Sequence, residues 1–289
     1  MTVQPNAFFL DAPDGPRFCL LYADANQLVR GRIVYVHPFG EEMNKARRMA
    51  ALQARALCAA GYEVLAIDLH GCGDSAGDFG DASWKSWVDD VLTAARWLNA
   101  RANIAEAAPL WIWGLRAGCL LAAEASRQLE GNCHLVFWAP TPSGKPLLQQ
   151  FLRLKAAGDM VGGQAKIIMD GLRQRIAAGS PIEVAGYEVS SALATGLERA
   201  TLEPAAQGAN VVRIEWLELS TRAEASLTPV ASKTIAQWQQ AGVAVQARIV
   251  SGPSFWQTTE IEEAPSLIEA TLAAMASPAL PRTVEALTA

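Results

Sequence analysis

The chain predicts an α/β fold, a mostly parallel eight-stranded sheet with helices on both faces. Short apolar runs of strand length alternate with longer segments of helical spacing, which is the pattern of a parallel sheet joined by crossover helices. Several of the runs, such as GRIVYV at 31–36 and CHLVFW at 133–138, are apolar throughout rather than alternating, as expected of strands covered on both faces. The third observation is the stretch from Pro109 to Glu124. A buried-strand run ending at Trp113 passes through Gly114-Leu115-Arg116-Ala117-Gly118 into an alanine- and leucine-rich helix. Two glycines flanking one central residue mark a tight strand–elbow–helix turn.

Taken in order, Ala7–Leu10 and Arg17–Ala23 form a hairpin around Asp14-Gly15. Gly31–Val36 is the third strand and ends in His37-Pro38-Phe39-Gly40. A helix follows over Glu41–Ala60, closed by Gly61. Tyr62–Ile67 runs into the glycine-rich Asp68–Gly77, and Ser83–Arg101 is a helix with Trp84, Trp87, Val91 and Leu98 toward the core. The elbow helix extends from Leu115 to Glu130, and Cys133–Trp138 is the next strand.

From Thr141 to about Gln207 the alternation stops. Helical stretches at Lys145–Ala157, Gln164–Ala178 and Ser190–Ala200, with no buried strand between them, read as a helical cap. The alternation resumes with Val211–Leu219, a helix over Pro229–Gly242 and a strand at Val243–Val250. The last helix covers Glu260–Ala276, with Pro265 either kinking it or starting its regular part, and a loose tail follows. The expected organisation is one domain over 1–289 with the cap inserted at about 141–207.

Composition bounds the function. The chain has 289 residues, 51% hydrophobic and 18% charged, with a net charge of −5. That excludes a disordered chain and argues against a nucleic-acid surface. No apolar run is long enough for a membrane span, and the N-terminus has no signal-peptide pattern. Five scattered cysteines without a Cys-x-x-Cys pair suggest reduced thiols in a cytoplasmic protein, with no metal site and no cofactor.

The motif order resembles the α/β-hydrolase superfamily over nearly the whole chain. His37-Pro38-Phe39-Gly40 resembles its oxyanion loop, Asp68–Gly77 its glycine-rich loop after the fourth strand, and Gly114–Gly118 its nucleophile elbow. More narrowly, HPFGEEMNKARR, the elbow arginine and SGPSFWQTTEIEEAP are similar to the exosortase A system-associated hydrolases, type 2. That family is encoded beside bacterial exosortase and exopolysaccharide genes. The resemblance implies an association with PEP-CTERM protein sorting but no established substrate.

The superfamily resemblance implies a nucleophile at the elbow, an acid after a late strand and a histidine after the last strand. In this sequence those positions fall on Arg116, Glu224 and Ser254. Arginine stays protonated and cannot attack a carbonyl. The three histidines, His37, His70 and His134, all precede residue 135, so no base stands at the usual place. Oxyanion donors, being backbone N–H groups, are expected from Phe39 and Ala117 whatever their side chains.

Three readings of Arg116 stand open here. It pairs with a pocket acid (Glu42, Asp74 or Glu224), it holds a small anionic or acyl ligand, or it takes part in unfamiliar chemistry. His37 and His70 read as loop-structuring residues that are also the imidazoles closest to the pocket. Cys72 and Cys119 read first as buried thiols. Glu41 and Glu42 beside Lys45, Arg47 and Arg48 read as helix-face pairs. The functional expectations are therefore a hydrolase or acyl-transfer enzyme with substituted machinery, a pseudoenzyme that binds a ligand, or an interaction protein of an exopolysaccharide or protein-sorting pathway.

Overall fold

The computed structural model describes residues 4–101, 108–158, 165–204 and 210–277. The strands are β1 (Asn6–Leu10), β2 (Arg17–Tyr22), β3 (Gly31–Val36), β4 (Tyr62–Ile67), β5 (Leu110–Leu115), β6 (Cys133–Trp138), β7 (Ile182–Val184), β8 (Tyr187–Val189), β9 (Val211–Ser220) and β10 (Ala244–Ser251). The helices are α1 (Glu41–Ala59), α2 (Trp84–Asn99), α3 (Ala117–Ser126), α4 (Lys145–Gly158), α5 (Ala165–Ala177), α6 (Ser191–Arg199), α7 (Pro229–Gln240) and α8 (Pro265–Ala276).

Eight strands form one sheet in the order β1-β2-β4-β3-β5-β6-β9-β10. Only the β1–β2 and β2–β4 pairs are antiparallel. The apolar runs divide their side chains between two cores because strand residues alternate faces. In β5, Leu110 and Ile112 join α2, α3 and α7 on one face, while Trp111 and Trp113 join α1 and α8 on the other. β3 does the same, with Val34 and Val36 against Ile33 and Tyr35.

Helix α3 is apolar on all sides, and Glu124 is its one residue that is not fully buried. Such a helix must lie inside. α3 packs on β5 and β6 with α2 over it, and Glu124 accepts a bond from Trp84 Nε1 at 2.7 Å. The elbow helix is shorter than the expected Leu115–Glu130, because Leu115 still belongs to β5 and the chain leaves the helix after Ser126.

Two further expectations are corrected. The last helix begins at Pro265 rather than Glu260. Pro265 occupies its first turn, and Ala264 before it is held non-helical (φ −125°, ψ 76°), as the residue before a proline must be. Between β6 and β9 the chain is not purely helical, since β7 and β8 pair antiparallel. Their turn, Ala185-Gly186, has φ of 50° and 82°, the backbone of a tight hairpin. Residues 205–207 of the expected cap, the start at Gln164 of its second helix and the tail beyond Ser277 lie outside the described residues.

Candidate functional site

The site is built where β3 and β5 end. Arg116 forms the turn between β5 and α3 with φ 56° and ψ −114°. A non-glycine residue there carries strain of about 1–3 kcal/mol, tolerated only where the surroundings enforce it. The surroundings do so here. Arg116 N–H donates to the Trp138 carbonyl at 3.0 Å, and Cys119 N–H donates to the Arg116 carbonyl at 3.0 Å. A Cβ on Gly118 would stand 2.2 Å from the Val36 carbonyl oxygen, and one on Gly114 would stand 2.4 Å from the Gly118 backbone. The two glycines are therefore fixed by the crossing of α3 over β3.

The Arg116 side chain runs to Glu42 in the first turn of α1. Nη2 lies 3.2 Å from Glu42 Oε1, and Nε lies 3.5 Å from Oε2, so both carboxylate oxygens are engaged. Nη1 donates to Thr141 Oγ1 at 3.3 Å and Nη2 to Gln150 Oε1 at 3.0 Å. The guanidinium also lies over the Trp256 ring, 5.5 Å from its centroid. The side chains of the pair are 13% and 19% exposed. Burial pushes the Glu42 carboxyl above its usual range, more than Arg116 and Gln257 pull it down.

Above the pair is a cavity of about 300 Å³. Phe39, Leu147, Phe151, Leu154 and Trp256 give it apolar walls, and Glu41, Glu42, Lys45, Gln150 and Gln257 contribute polar groups. Three of these, Glu42, Gln150 and Trp256, are direct partners of Arg116, so the guanidinium lies beneath the lining rather than open to it. Lys45 sits 3.7 Å from Glu41 and donates to the Thr258 carbonyl at 2.9 Å. The backbone N–H groups of Phe39 and Ala117 donate to no protein acceptor among the described residues.

The other candidates are dispersed. Glu224 is exposed in the loop after β9, beside Arg222 and Ser226, in a separate depression. Ser254 is exposed after β10, while its neighbours Phe255 and Trp256 are buried. Neither meets Arg116. His37 ties two loops together, with Nδ1 donating to the Pro38 carbonyl at 2.8 Å and Nε2 accepting from Leu69 N–H at 3.3 Å. Burial lowers its pKa and keeps it neutral.

His70 is buried against Gly77, where a Cβ would stand 2.4 Å from its Nε2, and its Nδ1 has no partner among the described residues. The His70 backbone N–H donates to Asp90, which is in turn paired with buried Arg17 at 2.8 Å. Cys72 and Cys119 are buried thiols, both raised in pKa by burial. Cys119 donates to the Gly114 carbonyl at 3.2 Å.

The residues that sequence reasoning missed are Thr141 and Gln150. They come from the segment where the strand–helix rhythm is lost, and no local pattern marks them. The charged residues of α1 also pair differently from the expected helix-face scheme. Only Glu41–Lys45 is intrahelical, while Glu42 reaches Arg116, Arg47 reaches Asp68 at 3.0 Å and Arg48 reaches Glu263.

Comparison with solved structures places the fold. Est1E from Butyrivibrio proteoclasticus, in a structure with ferulic acid bound, is similar over 93% of this chain and 98% of its own, with TM-score 0.62 and 12% identity. A thermostable carboxyl esterase from Bacillus coagulans matches over 95% and 98%, with TM-score 0.57 and 15% identity. XC6422 from Xanthomonas campestris, an α/β serine hydrolase without lid, matches over 96% and 97%, with TM-score 0.54 and 17% identity. The chain has the α/β-hydrolase fold. Within this hydrolase fold, the model of the serine aminopeptidase S33 family matches residues 27–169, just under half the chain. The human protein ABHD12B is 30% identical over 98 residues, which are 34% of this chain and 25% of that protein. The matched region of this α/β-hydrolase fold thus spans about a quarter of that curated relative.

Proposed function

We propose that the protein is a pseudoenzyme of the α/β-hydrolase fold whose cavity binds a neutral acyl or aromatic ligand. The observation that carries this reading is the engagement of Arg116, at the elbow, by both oxygens of Glu42. An elbow arginine cannot act as a nucleophile, and its charge is already matched. Lys45 stands 3.7 Å from Glu41, so the lining together with Arg116 beneath it has no net charge with which to draw an anion. The apolar walls favour an acyl chain or a ring over the anionic ligand that an unpaired arginine would attract.

The experiment is a thermal-shift series with methyl octanoate, octanoate and inorganic sulfate. A ligand that prefers the folded state raises the melting temperature with its concentration. The neutral ester is expected to do so and sulfate is not. A shift with sulfate that disappears in Arg116→Ala would replace this reading with an anion site.

A second reading, a hydrolase or acyl-transfer enzyme with substituted machinery, is favoured by one observation. The Phe39 and Ala117 N–H groups donate to no acceptor among the described residues, and an oxyanion hole needs free donors of this kind. Turnover of short esters by the wild-type chain, abolished by Glu42→Gln, would support it over the first.

We further propose, from the sequence resemblance to exosortase A system-associated hydrolases, a role in an exopolysaccharide or protein-sorting pathway; the segments that carry the resemblance lie in contact. Lys45 bonds Thr258, Arg48 pairs with Glu263, Ala264 N–H meets Met49 Sδ, and Arg116 covers Trp256. Of these residues, Lys45 and Trp256 line the cavity. Co-purification with an exosortase-system component, lost on Trp256→Ala, is the test of that assignment.

A further inference from the structure

Helices α4 and α5 carry a charge that the rest of the chain does not share. α4 holds Lys145, Arg153 and Lys155 with no acid, and α5 holds Lys166, Arg173 and Arg175 against Asp170 alone. The two helices thus carry +5 in a chain of net charge −5, which leaves −10 for the remainder. Part of this is engaged locally, Lys155 included. Arg173 stands 3.7 Å from Asp170, and Arg175 donates to the Pro181 carbonyl at 2.6 Å. Lys145, Arg153 and Lys166 are exposed, with no ion pair among the described residues.

Aliphatic surface lies among these cations. Ile167 is 71% exposed and Leu154 is 44% exposed. Ile168, Gly171 and Leu172 floor a shallow groove of about 550 Å³ with Lys155 and Arg175 on its rim. A single exposed aliphatic residue needs no explanation. A basic helix pair with aliphatic groups on its solvent side and an apolar groove between cations is the pattern of a membrane-surface element.

We propose that the α4–α5 face docks the protein on an anionic lipid surface, independently of what the cavity binds. Both parts of the face are needed to choose the partner. A soluble polyanion would use the cations but gain nothing from Ile167, Leu154 and the groove floor. An anionic bilayer takes the aliphatic groups into its interface and the cations among its headgroups. Each cation near such a surface strengthens binding roughly fivefold, an effect that salt weakens. Leu154 also lines the cavity above Arg116, so docking sets the mouth of that cavity beside the lipid.

The test is co-sedimentation of the full chain with phosphatidylcholine vesicles, with and without phosphatidylglycerol. Binding is expected only when phosphatidylglycerol is present, and it should decline as salt rises. Arg153→Glu with Lys166→Glu should weaken it by more than an order of magnitude. Ile167→Gln should weaken it several-fold without changing its salt dependence. All three positions are exposed, so unchanged circular dichroism and melting temperature are expected of the variants. No binding, equal binding to both vesicles, wild-type binding by the charge-reversal variant, or binding to heparin but not to vesicles would each overturn the proposal.

Discussion

Arg116 and Glu42 are joined through two guanidinium nitrogens and both carboxylate oxygens, at 3.2 and 3.5 Å, across the ends of β5 and β3. The pair sits at the turn where enzymes of this fold hold their nucleophile. Its burial makes it sensitive to the loss of either partner.

Arg116→Ala should therefore destabilise the fold by roughly 1–3 kcal/mol, less than a fully buried pair would lose, because both side chains keep some solvent. Adding Glu42→Gln should recover most of the loss. Urea unfolding of the two single variants and the double variant checks this, and additive losses would deny the coupling. The pH dependence has a definite sign. Glu42 has a folded pKa above its unfolded value, so the folded state holds this proton more tightly. Its contribution is present below the unfolded pKa, about 4.5, and is lost as pH rises through the folded value. Removing Arg116 raises that value further, so the Arg116→Ala deficit should be larger at pH 8 than at pH 5.

Phosphonate and sulfonyl fluoride probes should leave no stoichiometric adduct, because the elbow offers no hydroxyl and the thiols near it are buried and protonated. Intact-protein mass spectrometry after exposure to each reagent is the measurement. A single stoichiometric adduct mapped to Thr141, the hydroxyl that accepts from Arg116, or to any serine would mean that another nucleophile is present.

Rebuilding the missing groups should fail. Arg116→Ser with Ser254→His supplies a hydroxyl and an imidazole, but residue 254 is exposed while Trp256 faces the elbow. Glu224 is exposed in a separate depression and cannot orient an imidazole at the elbow. The double variant should hydrolyse p-nitrophenyl acetate no faster than Arg116→Ser alone. A tenfold gain would show that the β10 loop rearranges.

His134 stacks on Trp111 with centroids 4.5 Å apart, and burial lowers its pKa to about 4. The unfolded chain takes up this proton first, so stability is full above the unfolded value near 6.5 and falls as pH drops toward 4. His134→Phe keeps the stacking and removes the titration. Thermal melts across that window should show a shallower loss in the variant than in wild type.

The sheet was legible because residues such as Val34, Ile112 and Leu135 sit in runs too apolar for any half-exposed strand. The elbow was legible because Gly114 and Gly118 answer a steric demand that does not depend on chemistry. The β7–β8 hairpin was not, since Ala185-Gly186 lacks the asparagine or aspartate that usually announces such a turn. The site was half legible. Glu42 stood among the candidate partners of Arg116, but adjacent charges on one helix gave no sign of which would point inward. Thr141, Gln150 and the exposed placement of Glu224 depend on how distant segments pack, which no local pattern encodes.

The Glu42–Arg116 pair also restricts where the sequence can go next. A change at position 116 to serine would leave a carboxylate buried without its cation, while no histidine stands ready to use the new hydroxyl. A change at position 42 first would strand the guanidinium instead. Each single step toward ordinary hydrolase chemistry passes through a less stable intermediate. The pair therefore acts as a ratchet: easily kept, and exchanged only by concerted substitution of both partners.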